Sequence, residues 1–213
     1  MNITFHQVMP TPLASIQHGS ESIWGSHIEL KKGERVLLNA SSGKGKSTFT
    51  FTSIGLRKDY EGKITYDGKD IKSFTPDDWT ELRQSKLSVV FQDLQLFPKL
   101  SVKDNLLLKN NLQNVFTEEE LKKMLHILGI ADKWEQPCGL LSMGQQQRVA
   151  IIRSLCQPFE WLILDEPFSH LDRQNAEIAL QLIHERCEKL DAGFVLTSLG
   201  DDYGYNYSRE LKL

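Results

Sequence analysis

The sequence has few cysteines and no long apolar run. Only three of its 213 residues are cysteine, and Cys138, Cys156 and Cys187 are widely spaced and form no Cys-x-x-Cys pair. This pattern disfavours a disulfide framework and a cysteine-ligated zinc site, and it predicts a reducing cytoplasm. No run reaches the roughly 20 apolar residues that cross a bilayer, and residues 1–12 lack the pattern of a signal peptide. The chain is not expected to cross a membrane by itself.

The sequence also lacks a marked excess of charge of either sign. Its 25 lysine and arginine residues stand against 28 aspartate and glutamate residues, which leaves a formal net charge of −3. Because a protein that coats nucleic acid normally carries a basic excess, this class is disfavoured. Hydrophobic residues make up 40% of the chain, which is enough for a full core. With no internal repeat and no low-complexity linker, residues 1–213 are predicted to form a single domain.

Short apolar runs alternate with helical patterns, which is typical of an α/β domain. Continuous apolar runs at residues 35–39, 161–164 and 194–197 predict central, parallel strands that are buried on both faces. Residues 62–68 are predicted to belong to a hairpin arm. Residues 172–190 carry apolar side chains at helical spacing, so this segment is predicted to be a helix that packs on the sheet.

A mainly helical pattern separates the first two of these strands. It runs from about residue 76 to residue 154 and includes Thr117 followed by Glu120, which predict a helix N-terminus with a capping box. We therefore predict a helical insertion at about residues 76–154, between core segments at about residues 1–75 and 155–213.

A segment rich in glycine and serine follows the first predicted strand and begins a helical pattern, which is the context of a phosphate-binding loop. Its residues are Ala40, Ser41, Ser42, Gly43, Lys44, Gly45, Lys46, Ser47 and Thr48. The glycines let backbone N–H groups point at phosphates, Lys46 can reach the terminal phosphates, and Ser47 can ligate Mg²⁺. Ala40 stands where this pattern usually begins with glycine. The alternative interpretation is a turn with two solvated lysines.

Two carboxylates end the second predicted strand. Asp165 and Glu166 follow the apolar run at the edge where open α/β sheets bind their ligands. Asp165 is expected to hold Mg²⁺ through its water shell, and Glu166 is expected to orient or deprotonate the attacking water. An acidic helix cap is the alternative, but the phosphate-binding loop independently calls for an acid on the magnesium side.

With a third segment at residues 141–148, these motifs resemble those of the ATP-binding-cassette ATPases. This segment resembles the family's signature motif, Gln92 its glutamine loop, and residues 169–172 the loop that closes the cassette dimer. The order and spacing match from about residue 28 to residue 198. A plain helix capped by Ser142 is an alternative for the signature segment, and both interpretations can hold. The segments that look most like the lipoprotein-release and macrolide-export branch are residues 60–62, 82–83, 91–92, 96–98 and 104–106.

The resemblance implies an α/β fold with a P-loop NTPase core, an N-terminal antiparallel β arm and a helical insertion. It implies two cassettes, identical or different, that bind two ATP molecules with Mg²⁺ between the phosphate loop of one and the signature of the other. A separate integral membrane transporter subunit would hold the chain on the cytoplasmic face of the cell membrane, and no nucleic-acid partner is expected. The implied catalytic residues are Lys46, Gln92 and Glu166, the implied Mg²⁺ ligands are Ser47, Gln92 and Asp165, and the implied nucleotide contacts beyond the phosphate loop are Gln92, Ser142, Gly144, Gln145 and Ser198.

Several positions depart from the family's pattern. Met143 replaces the first of two signature glycines, Ser198 stands in the place of a switch histidine, and residues 10–13 lack the aromatic side chain that stacks on adenine. Because a serine hydroxyl reaches less far than an imidazole and carries no charge, we predict slow hydrolysis, which an unchanged rate in a Ser198→His variant would contradict. Phe5 and Trp24 are expected in the core.

Two other functions remain as alternatives. An ATP-binding regulatory or structural cassette with little hydrolysis is favoured by the changes at Ala40, Met143 and Ser198, whereas the intact acidic pair argues against it. A soluble cassette that acts on nucleic acid or ribosomes is disfavoured, because such relatives carry tandem cassettes or long coiled-coil insertions.

The membrane subunit is expected to insert a short helix into a groove beside Gln92. The candidate apolar contacts, which could equally belong to the core, are Leu94, Leu96, Phe97 and Leu100.

Overall fold

A computed structural model describes residues 1–41 and 43–213. Ser42, a residue of the predicted phosphate-binding loop, lies outside the described residues. The strands are β1 (Ile3–Pro10), β2 (His27–Leu30), β3 (Arg35–Asn39), β4 (Tyr60–Tyr66), β5 (Lys69–Asp70), β6 (Leu87–Val90), β7 (Trp161–Asp165), β8 (Gly193–Ser198) and β9 (Arg209–Lys212). The helices are α1 (Lys46–Ser53), α2 (Pro76–Ser85), α3 (Val102–Asn110), α4 (Glu118–Ile127), α5 (Met143–Leu155) and α6 (Arg173–Leu190). No helix among the described residues is long and apolar enough to span a bilayer.

A five-stranded parallel sheet forms the centre of the molecule, in the order β6-β7-β8-β3-β9. Its three inner strands are β7, β8 and β3, so the prediction of central parallel strands is confirmed. Every residue of β7 and β8 is buried, which explains why their sequences are nearly continuous apolar runs. Because all five strands are parallel, their carboxyl ends meet at one edge of the sheet.

A four-stranded antiparallel sheet, in the order β2-β1-β4-β5, forms the N-terminal arm. The predicted hairpin is present: Tyr66 pairs with Lys69 across a two-residue turn. Asp67 and Gly68 both have positive φ, 47° and 84°, as the commonest two-residue hairpin turns require. Phe5, which belongs to β1 of this arm, and Trp24 are both buried, as predicted.

The range 76–154 contains four helices and one strand of the central sheet. Strand β6 pairs in parallel with β7, and Leu87 lies opposite Trp161. Its four residues are too few to show a period of their own between two helical patterns, so the sequence did not single it out. The capping box of Thr117 with Glu120 begins α4 as predicted, and α3, α4 and α5 pack around a shared apolar core.

Helix α6 covers one face of the sheet, as predicted. Asp172 caps it by accepting a hydrogen bond from the Asn175 backbone, and its apolar stripe is buried. The three cysteines are free and buried, and burial raises the pKa of each thiol.

Candidate functional site

The predicted phosphate-binding loop joins the end of β3 to the beginning of α1. Gly43 and Gly45 have φ of 77° and 103°, a region that only glycine occupies without strain. A Cβ on Gly45 would lie 2.5 Å from Leu13 Cδ1 and 3.3 Å from Trp24 Nε1, so the position also lacks room for a side chain. Ala40 has no positive φ, so its methyl group does not strain the start of the loop.

Lys46 is turned back onto the loop that precedes it. Its Nζ donates to the carbonyl oxygens of Ala40 at 3.1 Å and Ser41 at 3.3 Å, and it lies 3.2 Å from Glu166 Oε1. The side chain is only 5% exposed, so its charge is held within the fold by these oxygens. A phosphate group that replaced them would meet a cation that is already positioned at the N-terminus of α1.

Three oxygen-bearing side chains meet beside Lys46. Ser47 Oγ donates to Gln92 Oε1 at 3.2 Å, and it also interacts with the carboxylate of Asp165. Burial raises the pKa of Asp165, although hydrogen bonds from Ser47 and Thr197 oppose this rise. A buried carboxylate beside amide and hydroxyl oxygens is a donor set that fits Mg²⁺. The predicted Mg²⁺ ligands are thus brought together.

Thr197 orders the acidic pair, and sequence reasoning gave it no role. Its hydroxyl donates to Asp165 Oδ1 at 3.0 Å and accepts the backbone N–H of Glu166, also at 3.0 Å. Glu166 has a φ of 47°, a left-handed conformation that costs of order 1–3 kcal/mol in a residue other than glycine. The pairing of Thr197 with Asp165 on adjacent strands is a property of sheet register, which the sequence alone does not show.

A cavity of about 250 Å³ opens over the phosphate-binding loop. Its lining residues are Leu13, Gly43, Gly45, Lys46, Ser47, Thr48, Gln92 and Glu166. Most of the predicted loop therefore faces one space together with Gln92 and Glu166. Leu13, which sequence reasoning did not select, gives this cavity an apolar wall. It belongs to residues 10–13, the segment that lacks the aromatic side chain expected to stack on adenine.

The predicted signature residues lie elsewhere, at the N-terminus of α5. Ser142 caps this helix in a capping box with Gln145, as the alternative interpretation of the segment also predicted. Gly144 contacts residues 170 and 171, where a Cβ would lie 2.7 Å from the His170 carbonyl oxygen. Ser142, Gly144 and Gln145 do not line the cavity over the phosphate-binding loop within the described part of the chain. The Met143 side chain is 46% exposed, so it leaves the fold of its own chain undisturbed.

Gln147 links α5 to the loop after the acidic strand and was also missed. Its Nε2 donates to Ser169 Oγ at 2.8 Å, and its Oε1 accepts the His170 backbone N–H at 2.9 Å. The side chain is buried, so both ends of the amide are satisfied inside the protein. The signature helix and residues 169–170 are thereby held as one unit.

Ser198 does not face the cavity. Its hydroxyl donates to the Asp201 carbonyl oxygen at 2.7 Å and accepts the backbone N–H of Asp201 at 3.0 Å and of Gly200 at 3.3 Å. The residue is 2% exposed. The structure therefore places the Ser198 side chain within its own loop, apart from the other predicted nucleotide contacts that surround the phosphate-binding loop.

Comparisons with known proteins agree with this geometry. The family model described as "ABC transporter" matches residues 24–169. The lipoprotein-releasing system ATP-binding protein LolD of Buchnera aphidicola is 33% identical over 174 residues, which cover 80% of this chain and 76% of that protein. The glutamate/aspartate import ATP-binding protein GltL of Escherichia coli is 37% identical over 161 residues, which cover 74% and 66%.

The same similarity extends to solved structures. The dimeric structure of MJ0796, a bacterial ABC transporter cassette, superposes with a TM-score of 0.78 at 27% identity, over 99% of this chain and 94% of that one. A second dimeric MJ0796 structure, in a post-hydrolysis state bound to ADP and Pi, gives the same TM-score and coverage at 28% identity. The chain therefore belongs to the ABC transporter family, as an ATP-binding subunit that takes ATP with Mg²⁺ and hydrolyses it.

Proposed function

We propose that this chain drives a membrane transporter, in which ATP closes a pair of cassettes and hydrolysis lets them open. The observation that carries the proposal is the separation of two motifs within one chain. Within the described part of the chain, the cavity over the phosphate-binding loop has no wall from the signature residues at the start of α5, where Ser142 is exposed and Gly144 and Gln145 are half-buried. The positive end of the α5 dipole, with Ser142 and Gly144, suits a phosphate supplied by a second cassette. The dimeric form of the similar MJ0796 cassette supports this arrangement.

In this proposal, Lys46 and Glu166 exchange their ion pair for contacts with ATP. Lys46 gives up Glu166 and two loop carbonyls for phosphate oxygens, and the released Glu166 carboxylate orients the attacking water. Ser47, Gln92 and Asp165 would hold Mg²⁺, which supplies neutralisation of the phosphate charge when it is bound. Most of the catalysis is then positioning and electrostatic stabilisation.

The membrane subunit is proposed to bind in a groove between the core and the helical segment. This groove, of about 540 Å³, begins at Phe91, next to Gln92. Its exposed apolar side chains are Leu56, Phe97 and Leu108. Of the contacts proposed from sequence, Phe97 lines this groove, whereas Leu94 is buried in the core and Leu96 packs against it.

The charge of the groove restricts the partner further. Arg83, Lys109 and Arg153 line it, with no carboxylate among its described lining residues. Among the described residues, Arg153 donates only to backbone carbonyls, those of Leu94 and Gln95, each at 2.8 Å. Burial, together with the nearby charge of Arg153, lowers the pKa of Lys109. We therefore propose that the inserted segment is apolar on one side and carries a carboxylate toward this cationic wall.

The similar proteins come from more than one branch of the family. The LolD relatives support the lipoprotein-release branch, whereas the GltL and thiamine-import relatives belong to import systems. We assign the chain to the first branch because its motifs outside the nucleotide site also resemble it. Its location in this proposal is the inner face of the cell membrane, held there by the membrane subunit.

Mg²⁺-dependent ATP hydrolysis by the purified chain tests the first half of the proposal. Turnover is expected to be lost in both Lys46→Ala and Glu166→Gln, and ATP binding is expected to persist in Glu166→Gln. Tight ATP binding without turnover in the unsubstituted chain would instead support the regulatory cassette, which the enclosed Ser198 hydroxyl favours. ADP production by the chain and by Glu166→Gln separates the two functions.

Co-purification with a membrane subunit encoded beside this chain's gene tests the second half. Leu108→Glu places a carboxylate in the groove, and it is expected to abolish co-purification. Leu112→Glu is the matched control, because Leu112 is similarly exposed at 57% and does not line the groove. Equal co-purification of the two variants would contradict the proposed docking site.

A further inference from the structure

The loop after the acidic strand, residues 169–172, is fixed at both ends. At its start, the Ser169 backbone N–H donates to the Glu166 carbonyl oxygen at 3.3 Å. At its end, the Asp172 carboxylate caps helix α6. The exposed imidazole of His170 is therefore carried by a loop whose backbone position is set by the fold.

The buried Gln147 amide has one orientation that satisfies both of its ends. Its Oε1 accepts the His170 backbone N–H at 2.9 Å, and this backbone group can only donate. The amide Nε2 therefore faces Ser169 Oγ at 2.8 Å, where an NH2 group must donate as well. The Ser169 oxygen thus accepts from Gln147, and its own proton is left for a different acceptor.

The acceptor of the Ser169 proton is the His170 ring. Ser169 Oγ lies 3.0 Å from His170 Nδ1, and no other acceptor for this hydroxyl is found among the described residues. Because a neutral imidazole carries one proton, an Nδ1 that accepts leaves that proton on Nε2. The hydrogen bonds from Gln147 through Ser169 therefore assign Nε2 as a donor. Within residues 1–41 and 43–213 this Nε2 makes no hydrogen bond, and the side chain is exposed.

The loop that carries this donor packs on the start of α5. A Cβ on Gly144 would lie 2.7 Å from the His170 carbonyl oxygen and 3.4 Å from Leu171 Cδ2, so the loop touches the first turn of the helix directly. Ser142, which caps that turn, is exposed as His170 is. A phosphate that meets the start of α5 from outside therefore also meets the exposed side of this loop.

The residue in the place of the switch histidine does not supply such a donor. The Ser198 hydroxyl is 2% exposed and donates to the Asp201 carbonyl oxygen at 2.7 Å. Donation to a phosphate would require breaking that bond. Ser198 therefore leaves this part of hydrolysis to a different group, and the His170 imidazole lies on the half of the site that a second cassette would contribute.

We propose that His170 is a catalytic residue that acts across the cassette dimer, where its Nε2–H donates to the terminal phosphate of the ATP bound by the other cassette. The proposal rests on the proposed closure of two cassettes. During hydrolysis, the water oxygen bonds to the terminal phosphorus, the bond from that phosphorus to the ADP oxygen breaks, and a proton of the water leaves toward Glu166 of the cassette that binds the ATP. His170 keeps its own proton and stabilises the negative charge on the phosphoryl oxygens.

His170→Ala tests the proposal because it removes the donor at an exposed position. We expect kcat to fall at least about tenfold, since the loss of one preorganised donor to transition-state charge commonly costs that much or more. His126→Ala is the matched control: it also removes an exposed imidazole, from α4, and its kcat is expected to stay unchanged. Thermal unfolding of both variants separates an effect on kcat from one on stability.

Mixing variants shows on which ATP His170 acts. In a pair of one Lys46→Ala chain and one His170→Ala chain, one site combines the intact loop of the second chain with the intact His170 of the first. In an equal mixture about a quarter of all sites are then complete, so turnover is expected to exceed the sum of the two separate activities severalfold. If His170 acted on the ATP of its own chain, no mixed pair would hold a complete site and the two activities would only add.

Nitrogen NMR tests the assigned proton without turnover. The ring signals of His170 are identified by their loss in His170→Ala, and they are recorded in the nucleotide-free chain at a pH where the ring is neutral. They are expected to show the proton on Nε2. A proton on Nδ1 would contradict the hydrogen bonds from which the donor is inferred and would overturn the proposal.

The remaining outcomes are distinct. An unchanged kcat in His170→Ala overturns the proposal alone. Mixing Lys46→Ala with Ser142→Arg, which damages only the signature, is the reference: recovery there and strict addition with His170→Ala overturns the role of His170 and leaves the paired cassettes intact. No recovery in either mixture overturns the pairing of two copies of this chain and the role of His170 with it. Absence of turnover in the unsubstituted chain overturns the proposal together with the assigned hydrolysis.

Discussion

At the scale of single residues, one hydroxyl connects the two acidic side chains of the site. Thr197 Oγ1 donates to Asp165 and accepts the backbone N–H of Glu166. Thr197→Val keeps the shape and removes both bonds, so we expect kcat to fall at least about tenfold and stability to fall by about 1 kcal/mol. Steady-state kinetics and denaturant unfolding measure the two effects.

The same substitution at Thr50 is the control. Thr50 is as buried as Thr197, but its hydroxyl has no hydrogen-bond partner among the described residues. Thr50→Val is therefore expected to be neutral or slightly stabilising and to leave turnover unchanged. Equal losses of stability at the two positions would contradict the role assigned to the Thr197 hydroxyl.

Asp165 is kept at a cost to the stability of the nucleotide-free protein. Its pKa is raised by burial, so the folded state binds its proton more tightly than the unfolded state. Its contribution to stability is then full below the unfolded pKa and is lost as the pH rises through the folded pKa. Asp165→Asn removes this loss, so we expect a higher midpoint of thermal unfolding at neutral pH, by about 2–4 °C for each kcal/mol gained in the free energy of unfolding. The same variant is expected to have no Mg²⁺-dependent turnover. A lower midpoint at neutral pH would show that Asp165 stabilises the fold.

At the scale of elements, helices α2, α3, α4 and α5 all begin with a capping box, and α5 is the one among them that begins at the signature segment. Ser142 caps α5 and Thr117 caps α4, each in a capping box. Ser142→Ala and Thr117→Ala are each expected to lower stability by about 1 kcal/mol. Turnover is expected to fall only in Ser142→Ala, because the start of α5 is the part proposed to meet the phosphate of a partner cassette. An equal effect on turnover would mean that Ser142 acts only as a cap.

The elements that the sequence predicted are those with a strong local pattern. Strands β3, β7 and β8 are continuous apolar runs, which predicts burial on both faces of the sheet. Helix α6 carries a regular apolar stripe, which predicts burial on one face. Strand β6 was not singled out because four residues hold too little pattern. Its place in the sheet depends on pairing with β7, which is distant in sequence.

The residues of the site also divide into those that a local sequence motif identifies and those that it does not. The phosphate-binding loop and the acidic pair are contiguous motifs, and their residues could be selected from the sequence. Thr197 and Gln147 act through partners more than 20 residues away, so only the folded register brings them to the site. The Ser198 hydroxyl could not be located from sequence either, because its bonds depend on the path of the following loop.

At the scale of the whole molecule, two apolar cores meet across the central sheet. One lies beneath the antiparallel arm, and the other extends from the sheet into α3, α4 and α5. The proposed partner groove opens at the junction of these parts, next to Gln92, whose side chain also contacts Ser47 in the nucleotide site. Movement of the helical part relative to the core would therefore change both the shape of the groove and the positions of the predicted Mg²⁺ ligands.

A whole-molecule prediction follows from the separation of the phosphate-binding loop and the signature. If each active site combines the loop of one cassette with the signature of another, variants that damage different halves must complement each other. Lys46→Ala removes the loop's charge, and Ser142→Arg places a bulky cation at the exposed start of α5. Each variant alone is expected to be inactive, since every site in its own dimer contains the damaged half.

Mixing the two variants creates a dimer with one intact site, formed by the loop of the Ser142→Arg chain and the signature of the Lys46→Ala chain. Turnover is therefore expected to appear on mixing and to increase more steeply than linearly with total protein concentration, because the active species is a dimer. Mixing Lys46→Ala with Glu166→Gln is the control. Both changes damage the same half, so every pairing contains two defective sites and no turnover is expected. Absence of recovery in the first mixture, with both variants folded, would mean that two copies of this chain do not form the active pair, and that its signature is directed to a different cassette.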